Sequence, residues 1–161
     1  MKKPIYIVSD NHFLLEKSKK EKSRREKMFK LFSHIKKTGG TLIIGGDFFD
    51  FWLQSFYGVP KYYDDILNEL KTLQKSDIKI HYIVGNHDYW DFGFIKNKYG
   101  IILHKKDFSF KVDNQKILIN QLLKNKNYFT PLSYFSTQLK YPYAIYKQLK
   151  AKNLIIEKKQ T

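Results

Sequence analysis

Three short clusters in this chain carry side chains that bind metals or move protons, and each closes an apolar run. Asp10-Asn11-His12 follows Pro4–Val8, Gly46-Asp47-Phe48-Phe49-Asp50 follows Thr41–Ile44, and Gly85-Asn86-His87-Asp88 follows Ile78–Val84. Carboxylate, imidazole and amide oxygen together suit Mn, Fe, Zn or Mg. Two ions about 3.5–4 Å apart need a bridging carboxylate, and can then clamp a phosphate while activating water. Asp47 is the residue placed to bridge. Asp10 and His12 would hold one ion, and Asn86 the other through its amide oxygen. His87 would face the phosphate as a charge stabiliser or general acid. Asp50 and Asp88 read as acceptors that orient histidine or amide groups, and Asp88, next to His87, is also counted with it in the catalytic group.

These clusters need elements that bring them together. Pro4–Asp10 is near-continuously apolar, which predicts a strand buried on both faces. Leu14–Lys37 is charged and helix-favouring, with Met28, Phe32 and Ile35 at helical spacing and Phe29 beside them. Gly39-Gly40 stops that helix. Thr41–Gly46 reads as a second buried strand, Phe48–Pro60 as an aromatic loop, and Lys61–Lys75 as a second helix with Ile66, Leu70 and Leu73 on one face. Ile78–Val84 is the third strand. A short helix is expected over Phe92–Lys98, and strands over Ile101–Leu103, Phe108–Val112 and Lys116–Ile119, with Asp113-Asn114 as a tight turn. Strand and helix alternate, so the fold class is α/β with parallel leading strands. Ligands bind beyond the carboxyl ends of such strands, where all three clusters would meet. Gly45-Gly46 and Gly85 permit tight turns there. Trp52 reads equally as a core aromatic or as part of a functional loop.

The chain has 161 residues, of which 42% are hydrophobic and 17% aromatic, enough for one domain with a real core. There is no cysteine, which excludes disulfides and thiolate metal sites. No apolar run approaches the roughly 18 residues of a membrane span, and the one near the N-terminus is too short for a secretory signal. The expectation is a cytoplasmic protein, at most peripheral on the inner face of the membrane. A net charge of +15 attracts polyanions. Lysine far outnumbers arginine, which favours diffuse attraction over base reading, so no specific nucleic-acid partner is expected. From Gln121 onward Glu157 is the sole acidic residue, lysines and tyrosines interleave, and Tyr141–Leu149 has the pattern of an amphipathic helix. The chain therefore divides into a core over 1–120 and a basic, aromatic, helical segment over 121–161.

The three clusters resemble, in order and spacing, the calcineurin-like metallophosphoesterase superfamily, whose pattern runs Asp-x-His, Gly-Asp-x-x-Asp, then Gly-Asn-His-Asp or Glu. The resemblance covers residues 5 to 88. It implies an α/β sandwich of two sheets, a metal-dependent hydrolase, and two divalent metal ions, Mn²⁺ foremost. The roles it implies for Asp10, His12, Asp47, Asn86 and His87 agree with those above. The surroundings, Gly46-Asp47-Phe48-Phe49-Asp50-Phe51-Trp52 and Gly85-Asn86-His87-Asp88-Tyr89-Trp90, look like the UDP-2,3-diacylglucosamine diphosphatases of lipid A synthesis. That likeness implies hydrolysis of a pyrophosphate in a UDP-lipid-like substrate. The aromatic loop and the basic tail are similar to that group's membrane-facing, acyl-chain-binding parts, which adds an anionic membrane surface as a partner.

The family's pattern continues with a histidine-bearing segment and a closing Gly-His-x-His. Here the five histidines are His12, His34, His81, His87 and His104. The place after Lys116–Ile119 reads Asn120-Gln121-Leu122-Leu123. Judged by the resemblance, one ion lacks one ligand, the other lacks two, and the fold is incomplete at its C-terminus. Asn120, Gln121 and His104 are the substitutes on offer, while His34 and His81 read as structural. Two functional readings stay open: a working phosphoesterase, or a truncated, catalytically impaired homologue that binds membrane surfaces through its basic charge. A nuclease of the same superfamily is a third, which the Phe51-Trp52 extension disfavours.

Overall fold

The computed structural model describes residues 1–54 and 58–119, and the backbone of 155–157. Four strands, β1 (Ile5–Val8), β2 (Thr41–Ile44), β4 (Lys79–Ile83) and β5 (Ile102–His104), form a parallel sheet in the order β1-β2-β4-β5. Helices connect them: α1 (Lys19–Thr38), α2 (Asp64–Lys75) and the short α3 (Phe94–Tyr99). The α/β class and the parallel pairing expected from the sequence both hold.

β2 lies in the middle, and all four of its apolar or β-branched residues are buried. β1 differs from expectation. Among the described residues it is an edge strand, half-buried rather than covered on both faces, with Ile7 52% exposed. Its apolar run packs on the core through Tyr6 and Val8, and among the described residues it pairs with β2 alone.

α1 buries Met28, Phe32 and Ile35 as the spacing predicts. It is capped by Ser18, whose Oγ accepts from the Glu21 N–H at 3.1 Å, and it ends at Gly39, φ 74°, whose N–H bonds the Ile35 carbonyl. It starts a turn later than the sequence suggests, because side chains take the Leu14 backbone groups. The Leu14 N–H donates to Glu21 and its carbonyl accepts from Arg25. α2 turns Ile66, Leu67, Leu70 and Leu73 inward and is entered through a 3₁₀ turn at Lys61–Tyr63.

Beyond the strands an aromatic cluster extends the core. Phe13, Phe48, Phe49, Trp52 and Tyr63 are each at most 2% exposed. Trp52 stacks on Phe49 with ring centroids 5.1 Å apart, and its indole N–H donates to Asp91 at 3.2 Å. This decides between its two sequence readings in favour of packing, with each such ring contributing about 1.5–3 kcal/mol. Phe48, Phe49 and Trp52 are consequently core residues, not available to a membrane or an acyl chain.

The strands β6 (Phe108–Val112) and β7 (Gln115–Ile119) form an antiparallel hairpin about Asp113-Asn114, as expected. Phe108 stacks on the rings of His81 and His104. A small antiparallel pair joins β3 (Gly58–Pro60) to β8 (Ile155–Glu157). The expectations for Asn120, Gln121 and the helix over Tyr141–Leu149 lie outside the described residues. Among the described residues no helix is long and apolar enough to cross a membrane.

Candidate metal centre

The loops that follow β1, β2 and β4 are zipped together by backbone hydrogen bonds that continue past the sheet. Asp10 N–H donates to the Gly46 carbonyl, His12 N–H to that of Asp47, and Phe13 N–H to that of Phe48, all within 3.0 Å. Asp50 N–H returns to the Phe13 carbonyl, and Trp52 N–H reaches the carbonyl of His87. The three clusters thus share one framework at the carboxyl edge, where an open parallel sheet binds its ligands.

Within it, ligand atoms of Asp10, His12 and Asp47 lie within 4.8 Å of one another, and so do those of His12, Asp50 and His87. The three residues of the first group all have positive φ, 51° at Asp10, 43° at His12 and 47° at Asp47. This left-handed conformation costs an L-residue about 1–2 kcal/mol. Among the described residues two other non-glycine positions share it, Asp77 and Asp113. Strain gathered at three converging donors marks a site whose geometry is imposed by its surroundings.

The histidines are oriented through Asp50. His87 Nδ1 stands 2.7 Å from the Asp50 carbonyl. A carbonyl only accepts, so this nitrogen carries the proton and Nε2 is left for another partner. His12 Nδ1 lies 3.4 Å from the Asp50 carboxylate, and the two rings meet edge to face with centroids 4.7 Å apart. The side chains of His12, Asp50 and His87 are 35–43% exposed, open enough to receive a ligand. Asn86 is exposed beside them.

Asp88 lies inside this framework. It is 1% exposed, and all its contacts point inward. One oxygen accepts from the Gly85 N–H at 2.5 Å, the other from the Phe48 N–H at 2.8 Å and from the Tyr82 hydroxyl. Burial pushes its carboxyl above the ordinary value, while these hydrogen bonds pull it back. With no oxygen at the open edge, Asp88 ties the Gly85 and Phe48 backbones together. Gly85 matters for a second reason. A Cβ there would lie 2.6 Å from the Asp47 nitrogen and 2.7 Å from its Cγ, so a side chain at position 85 would displace the central carboxylate. The His87 N–H donates to that same carboxylate at 3.0 Å. Sequence reading missed Tyr82, whose hydroxyl, between the apolar Ile80 and Ile83 of β4, was the available signal.

The remaining histidines belong elsewhere. His104 Nε2 is 2.9 Å from His81 Nδ1, and the rings stack. The His104 ring is therefore engaged by His81 rather than by the carboxylates. His34 meets the edge of Tyr6.

The sequence matches, over residues 3–154, the family model described as calcineurin-like phosphoesterase. The chain belongs to this family. Its members are metal-dependent hydrolases, and a donor set of carboxylates and imidazoles with no thiol fits divalent metal ions. Asn11, between Asp10 and His12, also leaves a buried side-chain oxygen without a hydrogen-bond partner among the described residues. The chain is similar to a UDP-2,3-diacylglucosamine hydrolase from Porphyromonas gingivalis, 25% identical over 104 residues. That match covers 65% of this chain and 40% of the relative, so the similarity spans less than half of that protein's length. A solved structure, a protein of unknown function from Aquifex aeolicus, aligns over 89% of this chain and 73% of its own with a TM-score of 0.46 and 16% identity.

Proposed function

We propose that this protein hydrolyses a phosphoanhydride in a UDP-lipid-like substrate, using two divalent ions, Mn²⁺ foremost. The observation that carries the reading is the convergence of Asp10, His12 and Asp47 at the zipped edge of the parallel sheet. Family membership supports the phosphoester chemistry, and the name of the Porphyromonas gingivalis relative suggests the substrate class. Asp10 and His12 would hold one ion, Asn86 the other, and Asp47 would bridge them. When bound, the ions supply charge neutralisation at the phosphate and a nucleophile at neutral pH.

The chain's own residues do the rest. The Asp50 carboxylate stands 3.4 Å from His12 Nδ1, which leaves Nε2 as the ligand atom. The Asp50 carbonyl fixes the His87 ring through Nδ1, turning Nε2 into the nitrogen that meets the phosphate. Protonated there, His87 stabilises charge or donates to the leaving oxygen. Asp88 holds the Gly85 and Phe48 backbones still, and acts by positioning rather than by touching substrate. The basic charge draws an anionic substrate, or an anionic membrane presenting it, toward the site.

The test is release of UMP from a UDP-linked diacylated sugar by the purified chain with Mn²⁺. Turnover by the wild type and its loss in Asp47→Ala are expected. No turnover, or equal turnover in both, refutes the reading. A second reading draws on the net charge of +15. It is a catalytically impaired homologue that binds anionic vesicles in a salt-sensitive manner, without turnover.

A further inference from the structure

The sequence contains two arginines among 30 basic residues, Arg24 and Arg25, adjacent on α1. Both are committed to one network centred on the buried Glu21. Arg25 is 5% exposed and donates to Asp65 of α2 at 2.8 Å, to the Tyr62 carbonyl and to the Leu14 carbonyl. Its Nε also donates to Glu21, which is 1% exposed. The second oxygen of Glu21 accepts from Arg24 at 2.6 Å. Arg24 in turn spreads its guanidinium over the first metal-binding loop. Nη1 and Nη2 each reach the His12 carbonyl at 3.2 Å, and Nη2 also donates to the carbonyl of Asn11. The same guanidinium lies 5.5 Å from the centre of the Phe13 ring.

A cation beside a cation-binding site is electrostatically unfavourable, so its presence needs a reason. Asn11 lies between two left-handed residues, Asp10 and His12. The N–H groups of Asp10 and His12 are held by the Gly46 and Asp47 carbonyls, whereas the carbonyls of Asn11 and His12 are met by Arg24. A planar fork anchored at its far side by a buried carboxylate can fix two successive carbonyls, which a lysine, as a point donor, cannot.

We propose that Arg24 is a positioning residue for the metal centre. Anchored through Glu21 and Arg25 to α2, it fixes the Asn11 and His12 carbonyls and so holds the His12 imidazole at its ligand position. The proposal rests on the reading of His12 as a metal ligand. Sign separates it from plain electrostatics. Removing a nearby positive charge should tighten metal binding, whereas removing a positioning residue should weaken it.

The experiment compares the wild type with Arg24→Gln and Arg24→Lys, using Mn²⁺ calorimetry together with amide exchange in the metal-free protein. Arg24→Gln is expected to bind Mn²⁺ about tenfold or more weakly, as for other residues that orient ligands. The His12 N–H, which donates to the Asp47 carbonyl, should exchange faster, while amides of β2 and β4 keep their protection. Arg24→Lys should recover only part of both effects. Unchanged or tighter binding in Arg24→Gln overturns the proposal. So does full recovery by Arg24→Lys, and so does faster exchange throughout β2 and β4, which would make Arg24 a general structural residue. A wild-type chain that binds no Mn²⁺ counts against the metal reading, and the exchange data then decide the anchoring by themselves.

Discussion

Replacing Asp88 by asparagine separates a residue that braces the site from one that acts in it. Its two oxygens accept from the Gly85 and Phe48 N–H groups and from the Tyr82 hydroxyl. Asparagine keeps one oxygen and puts an NH₂ group in place of the other. The tyrosine hydroxyl can rotate to accept, but whichever way the amide turns, one backbone N–H then faces another donor. An unpaired buried N–H costs about 1–3 kcal/mol, and losing the charged acceptor weakens the bonds that remain. The sum, about 2–4 kcal/mol, is a large part of the 5–15 kcal/mol that typically holds a domain together. At about 2–4 °C per kcal/mol for a chain of this size, the melting temperature should fall by roughly 5–15 °C. The assay is a thermal melt followed by circular dichroism, without metal. Asp50→Asn is the control, because that side chain is 43% exposed and its replacement should change stability by no more than about 0.5 kcal/mol. An Asp88→Asn protein that melts with Asp50→Asn would refute the bracing role.

Two further perturbations follow from the same geometry. Gly85→Ala puts a methyl group against the Asp47 backbone and Cγ, so Mn²⁺ binding should be lost along with about 1–3 kcal/mol of stability; an alanine variant with wild-type Mn²⁺ affinity would contradict this. The His81–His104 pair should make stability depend on acid. Burial lowers both below the ordinary 6.5, helped at His81 by the charge of His104, so between that value and the folded one the unfolded chain binds more protons. Stability must then fall as pH drops below 6.5. Melts across that range should show the decline, with a shallower one in His104→Gln; parallel curves would rule the pair out as its source.

Much of this was legible in the sequence because period and burial coincide. Met28, Phe32 and Ile35 mark the inner stripe of α1, and the apolar run of β2 marks a central strand. The site was legible because three polar clusters each end a strand, and the parallel order puts strand ends together. Other features were hidden for physical reasons. An apolar run does not tell an edge strand from a central one, so the exposure of Ile7 was not visible. The stripe of α1 continues back through Arg25 and Glu21, but charged residues there read as surface until their partners are seen. The burial of Asp88 depends on donors from Gly85, Phe48 and Tyr82, and the central pair of these, positions 48 and 88, is far apart in the chain. The left-handed turns at Asp10, His12 and Asp47 carry only a weak sequence signal, since aspartate and histidine are enriched at positive φ without requiring it.

The most direct test of a divalent-metal centre is Mn²⁺ calorimetry on the wild-type chain and Asp47→Ala. Two equivalents bound by the wild type, both lost when the shared carboxylate is removed, are predicted. A wild-type chain that binds none, or an Asp47→Ala protein that binds as the wild type does, would contradict it.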